Sequence, residues 1–155
     1  MRTEYAYIKC MSNKIKKYKV GIVGLGNQSI NDHTPSLLKR KDLEIVAVCD
    51  INEQKRGNFF IKFPELANKV KVYENYSSLL ENEKIDIAIV AVPHDQYPEI
   101  ITEFCEKHIY FMKEKPFARN KEETKKLLSI PNIKKYCFVC SQRRYSSLYQ
   151  RAFKE

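Results

Sequence analysis

No stretch of this 155-residue sequence approaches about 18 uninterrupted apolar residues, which excludes a membrane-spanning helix as a sequence-level expectation. The opening segment, "MRTEYAYIKCMSNKIKKYK", lacks an apolar core and does not read as a secretory signal. A cytoplasmic setting is therefore expected. The chain also lacks a paired cysteine framework. Its five cysteines, Cys10, Cys49, Cys105, Cys137 and Cys140, are odd in number, and only Cys137 and Cys140 are close in sequence. Those two lie in an apolar run that reads as a strand, where residues three apart face opposite sides. That is poor geometry for a redox pair or a shared metal, and no metal site is expected. Internal repeats and low-complexity segments are absent.

What is present is globular in composition, 43% hydrophobic and 30% charged. The length suits one domain with a substantial core. A formal net charge of +9 invites a nucleic-acid reading. The distribution weighs against it. Residues 1–20 and 134–155 each hold six basic residues and one acidic, while the 113 residues between hold 16 basic and 17 acidic. The excess sits at the two ends, as in solvated tails or partner-binding arms.

Strand and helix patterns alternate along the chain. "KYKVGIVGLG", "LEIVAVCD", "KVKVYE", "IDIAIVAVP", "IYFMK" and "KYCFVCSQ" read as strands. The run Ile87–Val92 is apolar throughout, as in a strand covered on both faces. Between them, "TPSLLKRK" reads as a helix with Thr34 as N-cap and Pro35 at its first position. "EQKRGNFFIKFPELAN" reads as a helix interrupted by Gly57 and Pro64. "YSSLLENE" reads as one capped by Ser77 or Ser78. "DQYPEIITEFCEKH" carries a stripe of Ile100, Ile101, Phe104 and Cys105. "KEETKKLLSI" is capped by Asn120, with Glu122 and Glu123 in the first turn, and "SSLYQRAFKE" begins a last helix. This alternation specifies an α/β fold: a Rossmann-like, doubly wound parallel sheet of about six strands with helices on both faces. Three parts are expected: a loose basic arm over 1–18, the α/β domain over 19–142, and the start of a further helix over 143–155.

The turn after the first strand is "GLGNQS". Gly24 permits a tight exit from the strand, and Gly26, without a Cβ, lets a pyrophosphate approach the backbone. Asn27 and Gln28 open the following helix, whose start offers N–H groups to that anion. Ser29 stands where the fingerprint has Gly or Ala. Asp50, 26 residues after Gly24 at the end of the second strand, is placed to accept hydrogen bonds from an adenosine ribose. Its charge would repel a 2′-phosphate, so NAD is expected in preference to NADP. Taken alone, Asp50 is equally readable as a cap for the next helix.

"VGIVGLGNQS", "HTPSL", "AVCD", "IAIVAVPHDQYPEI" and above all "MKEKPFARN" together resemble the glucose–fructose oxidoreductase, inositol dehydrogenase and rhizopine-catabolism group (Gfo/Idh/MocA). The resemblance runs from about Lys19 to the end, and "SQRRYSS" is similar to the segment leading into that family's second domain. It implies that Lys115 is catalytic, contacting a substrate hydroxyl at the nicotinamide end of the cofactor. Pro116 restricts Lys115 to an extended backbone, and the Lys115–Pro116 bond is open to a cis form. The resemblance further implies that Glu114 holds the lysine or the cofactor, and that Val92, Pro93 and His94 flank the nicotinamide ribose. His94 departs from the family pattern, and two readings stay open for it: a cofactor contact or an ordinary loop histidine. Tyr97 occupies a position where the family usually has histidine. His108 replaces a helix-ending glycine, where a left-handed residue is expected, and His33 is read as a packing histidine.

Family members also carry an α+β second domain that supplies an Asp–His pair, most of the substrate pocket and subunit contacts. The implied function is the NAD-binding domain of a sugar or polyol oxidoreductase, incomplete for catalysis by itself, as a fragment or one product of a split gene. The alternatives are a stand-alone dinucleotide-binding module without turnover, and a basic partner- or nucleic-acid-binding protein. Loss of the second domain is expected to leave an apolar surface near Tyr145, Leu148, Tyr149 and Phe153, so that the isolated domain self-associates or is poorly soluble.

Overall fold

The computed structural model describes residues 16–152. The basic arm, Cys10 and Phe153 lie outside the described residues, and so does the side chain of Leu148. Six strands form one sheet: β1 (Tyr18–Val23), β2 (Leu43–Cys49), β3 (Lys71–Tyr73), β4 (Ile87–Val90), β5 (Tyr110–Lys113) and β6 (Cys137–Val139). Their order is β3-β2-β1-β4-β5-β6, and every pairing is parallel. The chain therefore winds outward from β1 in both directions, and the reversal falls between β1 and β4. Ligands of open α/β sheets bind beyond the carboxyl ends of the strands at such a reversal. Among the described residues, no helix is long and apolar enough to cross a membrane.

Each face of the sheet carries its own core. One gathers Ile22, Leu25, Ile45, Val48, Phe59 and Phe63. The other gathers Val23, Ala47, Leu79, Val90, Phe104 and Phe111 with their neighbours. Strand alternation explains the division, since Ile22 and Val23 point to opposite faces. In β2 the register steps from Val20↔Ile45 to Gly21↔Ala47, leaving Val46 as a bulge. The extra residue restores the phase, so Ile45 and Val48 reach one core while Ala47 and Cys49 reach the other.

Several helix boundaries differ from those expected. Helical backbone does not begin at Thr34. It follows the glycine turn, passes through a π-helical turn at Ser29–His33 and continues into α1 (Thr34–Leu38). Thr34 is inside the helix, with φ −59° and ψ −47°, and its N–H bonds to the Ser29 carbonyl five residues back. That wider turn makes room for the Pro35 ring, which in an unbroken α-helix meets the carbonyl four residues earlier. Helix α2 (Glu53–Lys62) runs through Gly57 without interruption and stops before Pro64. The cap of α3 (Tyr76–Asn82) is Asn75, whose side chain accepts the Ser78 N–H at 2.8 Å, and neither Ser77 nor Ser78 has that role. Asn is as strong a cap as Ser, and the tyrosine between them hid the signal. Helix α4 (Tyr97–Glu106) buries the stripe Ile100, Ile101, Phe104 and Cys105 as expected. Asn120 caps α5 (Lys121–Leu128) by accepting from Glu123 N–H at 2.8 Å. A short α6 (Ile133–Tyr136) had no sequence signal, and α7 (Ser147–Ala152) follows β6. His108 has φ 57°, the left-handed conformation expected where a glycine commonly ends a helix.

Strand β5 is fully covered on one face only. Tyr110 is exposed and Met112 half-buried, while Phe111 and Lys113 are fully covered. One strand, β6, separates it from the edge of the sheet on that side, which leaves one of its faces thinly covered.

Candidate cofactor and substrate site

The carboxyl ends of β1, β2 and β4 are tied together where the sheet order reverses. Gly24 N–H donates to the Cys49 carbonyl at 2.8 Å, and Ala91 N–H to the Val23 carbonyl at 2.8 Å. Gly24 has φ +89°, and a Cβ there would collide with the Ala91 carbonyl. Only glycine fits that turn. Gly26 is different, because a Cβ added to it would meet nothing within 4 Å. The space over its backbone is open. Ile30 N–H donates to the Gly26 carbonyl at 3.0 Å, the first bond of the helix. The amides of Asn27, Gln28 and Ser29 therefore precede the helical ladder, and the Asn27 and Gln28 side chains are exposed. Ser29 is buried, and its hydroxyl donates to the Gly24 carbonyl. A hydroxyl in place of a third small apolar residue thus fastens the helix to the turn it follows.

Asp50 is 7% exposed and serves the same turn. Its Oδ2 accepts the Leu25 N–H at 2.8 Å, and its Oδ1 accepts the Asn52 N–H at 2.9 Å. The helix-cap reading of Asp50 is corrected, because Asn52 caps α2 by accepting the Lys55 N–H at 3.1 Å. A carboxylate has about four acceptor positions, so two accepted bonds leave Asp50 capacity for ribose hydroxyls. Lys55 Nζ lies 3.8 Å from Oδ2. Gly24, Asp50, Lys55, Val92, Pro93 and Gln96 line one crevice. An open backbone at Gly26, free early helix amides and an acid facing a crevice are the donor and acceptor set that a dinucleotide requires.

The second half of the site follows β5. Glu114 N–H donates to the Val90 carbonyl at 3.3 Å, so the "EKP" loop leaves the sheet on the same edge as the glycine turn. Lys115 and Pro116 are exposed, and the peptide between them is cis. Glu114 does not pair with Lys115. His33 Nε2, on the π-helical turn, donates to Glu114 Oε1 at 2.8 Å, and both side chains are largely buried. His33 is thus more than packing: it ties the helix after the glycine turn to the loop that carries Lys115. Pro93 and His94 are exposed beyond β4, with the His94 ring 5.7 Å from that of Tyr97.

The roles of two residues of this region escaped the sequence reading. Tyr97 is buried, and its hydroxyl donates to the Val90 carbonyl at 3.1 Å while accepting the Glu114 N–H at 3.3 Å. Burial pushes that phenol up to about 12, which keeps it protonated as a donor. Lys113 is fully buried with its ammonium 3.9 Å from the centroid of the Tyr97 ring. Burial pulls its pKa below the ordinary lysine value. A signal was available: residues two apart on a strand share a face, so buried Phe111 implied a buried Lys113.

Residues 18–140 match the family GFO_IDH_MocA, described as an oxidoreductase family with an NAD-binding Rossmann fold. The chain is 25% identical over 134 residues to the inositol 2-dehydrogenase of Salmonella paratyphi B, covering 84% of this chain and 39% of that protein. It is 32% identical over 105 residues to the glucose-6-phosphate 3-dehydrogenase of Bacillus subtilis, covering 68% of this chain and 28% of that protein. Among solved structures, the WlbA dehydrogenase of Chromobacterium violaceum in complex with NADH and UDP-GlcNAcA superposes with a TM-score of 0.74 at 26% identity. That match covers 90% of this chain and 40% of the other. The chain spans about two-fifths or less of the length of these relatives.

Proposed function

This chain belongs to the Gfo/Idh/MocA oxidoreductase family and has its NAD-binding Rossmann domain, and from that premise we propose that it is the cofactor-holding half of a sugar or polyol dehydrogenase. Inositol and glucose 6-phosphate are named for two relatives, which supports a polyhydroxylated substrate. The observation that carries the reading is the shared sheet edge. The glycine turn, Asp50 and the Lys115 loop all leave the sheet at the carboxyl ends of its strands, with His33 bonded to Glu114 across them.

In this reading Gly24 and Gly26 shape the pyrophosphate turn, with Asn27 and Gln28 at the helix start. Asp50 accepts from the adenosine ribose, and Pro93 and His94 border the nicotinamide ribose. Bound NAD supplies the hydride acceptor. Lys115, held extended by Pro116, orients a substrate hydroxyl and helps move its proton. Glu114, already bonded to His33, anchors the loop from which Lys115 reaches out.

Residues 19–142 form the cofactor domain in this account, residues 1–18 an arm, and residues 143–155 the approach to a second, substrate-binding domain. Exposed Tyr110, Phe138, Val139 and Tyr145 near β6 support a covering partner, either that domain or another copy. Free Cys49, Cys105, Cys137 and Cys140 support a reducing, cytoplasmic setting.

One lysine cannot both orient the substrate and exclude water around it. Residues 1–155, purified by themselves, are therefore expected to form no NADH in a sustained manner from inositols, hexoses or their phosphates. Sustained turnover that disappears in Lys115→Ala would overturn this and make the first half sufficient.

A further inference from the structure

We propose that Lys113 is a positioning residue: its buried ammonium, bonded to carbonyls on both sides of Lys115, sets the shape of the loop and so fixes where the Lys115 side chain stands. The proposal deepens the role given to Lys115 above and rests on it.

Lys113 Nζ donates to the Glu114 carbonyl at 2.9 Å, the Pro116 carbonyl at 2.6 Å and the Phe117 carbonyl at 3.1 Å. Those three bonds use all three N–H groups of a protonated lysine, which has no acceptor of its own. The Glu114 carbonyl belongs to the peptide plane entering Lys115. The Pro116 carbonyl belongs to the plane after the Lys115–Pro116 bond. Fixing both constrains the backbone that aims the Lys115 side chain.

The His33–Glu114 pair holds the start of this loop and the packing of Phe117 and Ala118 on the core holds its end, but no ladder holds the backbone between. Among the described residues, no main-chain group of Lys115–Ala118 hydrogen-bonds to another main-chain group. The sheet ladder has ended and α5 has not begun. Tyr97 supports the arrangement from below, with its ring under the ammonium and its hydroxyl on the Glu114 N–H. Core packing does not require a lysine here, because two residues earlier the same face of β5 is filled by Phe111. An apolar side chain would complete that face at no desolvation cost, whereas a buried ammonium is costly unless its donors are satisfied. The three carbonyls satisfy them, and all three lie in the loop.

The test uses the full chain with Lys113→Met, which keeps the length without the donors, and Lys113→Gln, which keeps two N–H groups on a shorter stem. Backbone 15N order parameters at Lys115, Phe117 and Ala118 are measured against those of β1 and β4, and in wild type they are expected to match. Lys113→Met is expected to drop them below about 0.6, the flexible range, with Lys113→Gln intermediate. Unchanged order parameters overturn the proposal. If Lys113→Met does not fold, any drop against wild type in Lys113→Gln supports the proposal, and unchanged values there overturn it.

A second measurement is the emission of bound NADH, with ADP-ribose affinity as the control. Lys115→Ala is expected to shift the emission. Lys113→Met is expected to reproduce the shift while ADP-ribose affinity stays within twofold. A shift in Lys115→Ala that Lys113→Met fails to reproduce also overturns the proposal. If Lys115→Ala itself leaves the emission unmoved, the nicotinamide-end assignment of Lys115 fails, while the order parameters still decide whether Lys113 shapes the loop.

Discussion

Gly26→Ala is expected to leave the fold intact and to weaken NAD binding at least tenfold, while Gly24→Ala is expected to damage the fold itself. The two glycines are two residues apart and look equivalent in sequence. Their surroundings separate them. Gly24 holds a positive φ, and a Cβ there runs into the Ala91 carbonyl, part of the β4 exit. Forcing a left-handed residue costs about 1–2 kcal/mol, and overpacking against fixed backbone adds about 1–3 kcal/mol. A loss of roughly 3 kcal/mol is a large share of a small domain's stability. At Gly26 a methyl group meets no protein atom within 4 Å, so the stability change should stay within about 1 kcal/mol. The methyl instead fills the space that a pyrophosphate needs. Urea denaturation gives the first quantity and calorimetric titration with NAD the second. Normal NAD affinity in a folded Gly26→Ala would place the pyrophosphate elsewhere.

Asp50→Ala is expected to fail in two ways at once, and Asp50→Asn separates them. The Asp50 carboxylate accepts the Leu25 N–H, so it is part of the glycine turn before any ligand arrives. Leaving that donor unsatisfied costs about 1–3 kcal/mol. Asp50→Ala should therefore lose stability and bind both dinucleotides poorly. Asp50→Asn retains one oxygen as an acceptor but removes the charge that repels a 2′-phosphate. Lys55, 3.8 Å from that carboxylate, is then left as the local charge. The expected result is a narrowed or reversed NAD-over-NADP preference, by about tenfold or ~1.4 kcal/mol, in a chain that still folds. An Asp50→Asn variant with the wild-type preference would show that Asp50 only supports the turn.

These contrasts rest on contacts that sequence reading could not supply. The glycine turn, the acid after β2 and the order of elements were legible, because each depends on local residue type and spacing, and the left-handed His108 followed from the family resemblance. Parallel strands also end together, which put Lys115 and Gly24 on one edge before any coordinates. The misses share a cause. His33 and Glu114 are 81 residues apart, and nothing local marks them as partners. Tyr97 was judged only by what it replaces, while its hydroxyl bridges the ends of β4 and β5. Lys113 was read only as the last residue of the fifth strand and given no role, although it falls on that strand's covered face. The helix start was misplaced because Thr34–Pro35 is a strong local signal, and a π-helical turn that absorbs the proline leaves no mark in the hydropathy pattern.

The most direct measurement is a calorimetric titration of the purified chain with NAD and, separately, with NADP. The site described here predicts saturable one-to-one binding of NAD, tighter than that of NADP. Tighter binding of NADP, or no binding of either dinucleotide at millimolar concentration, would contradict it.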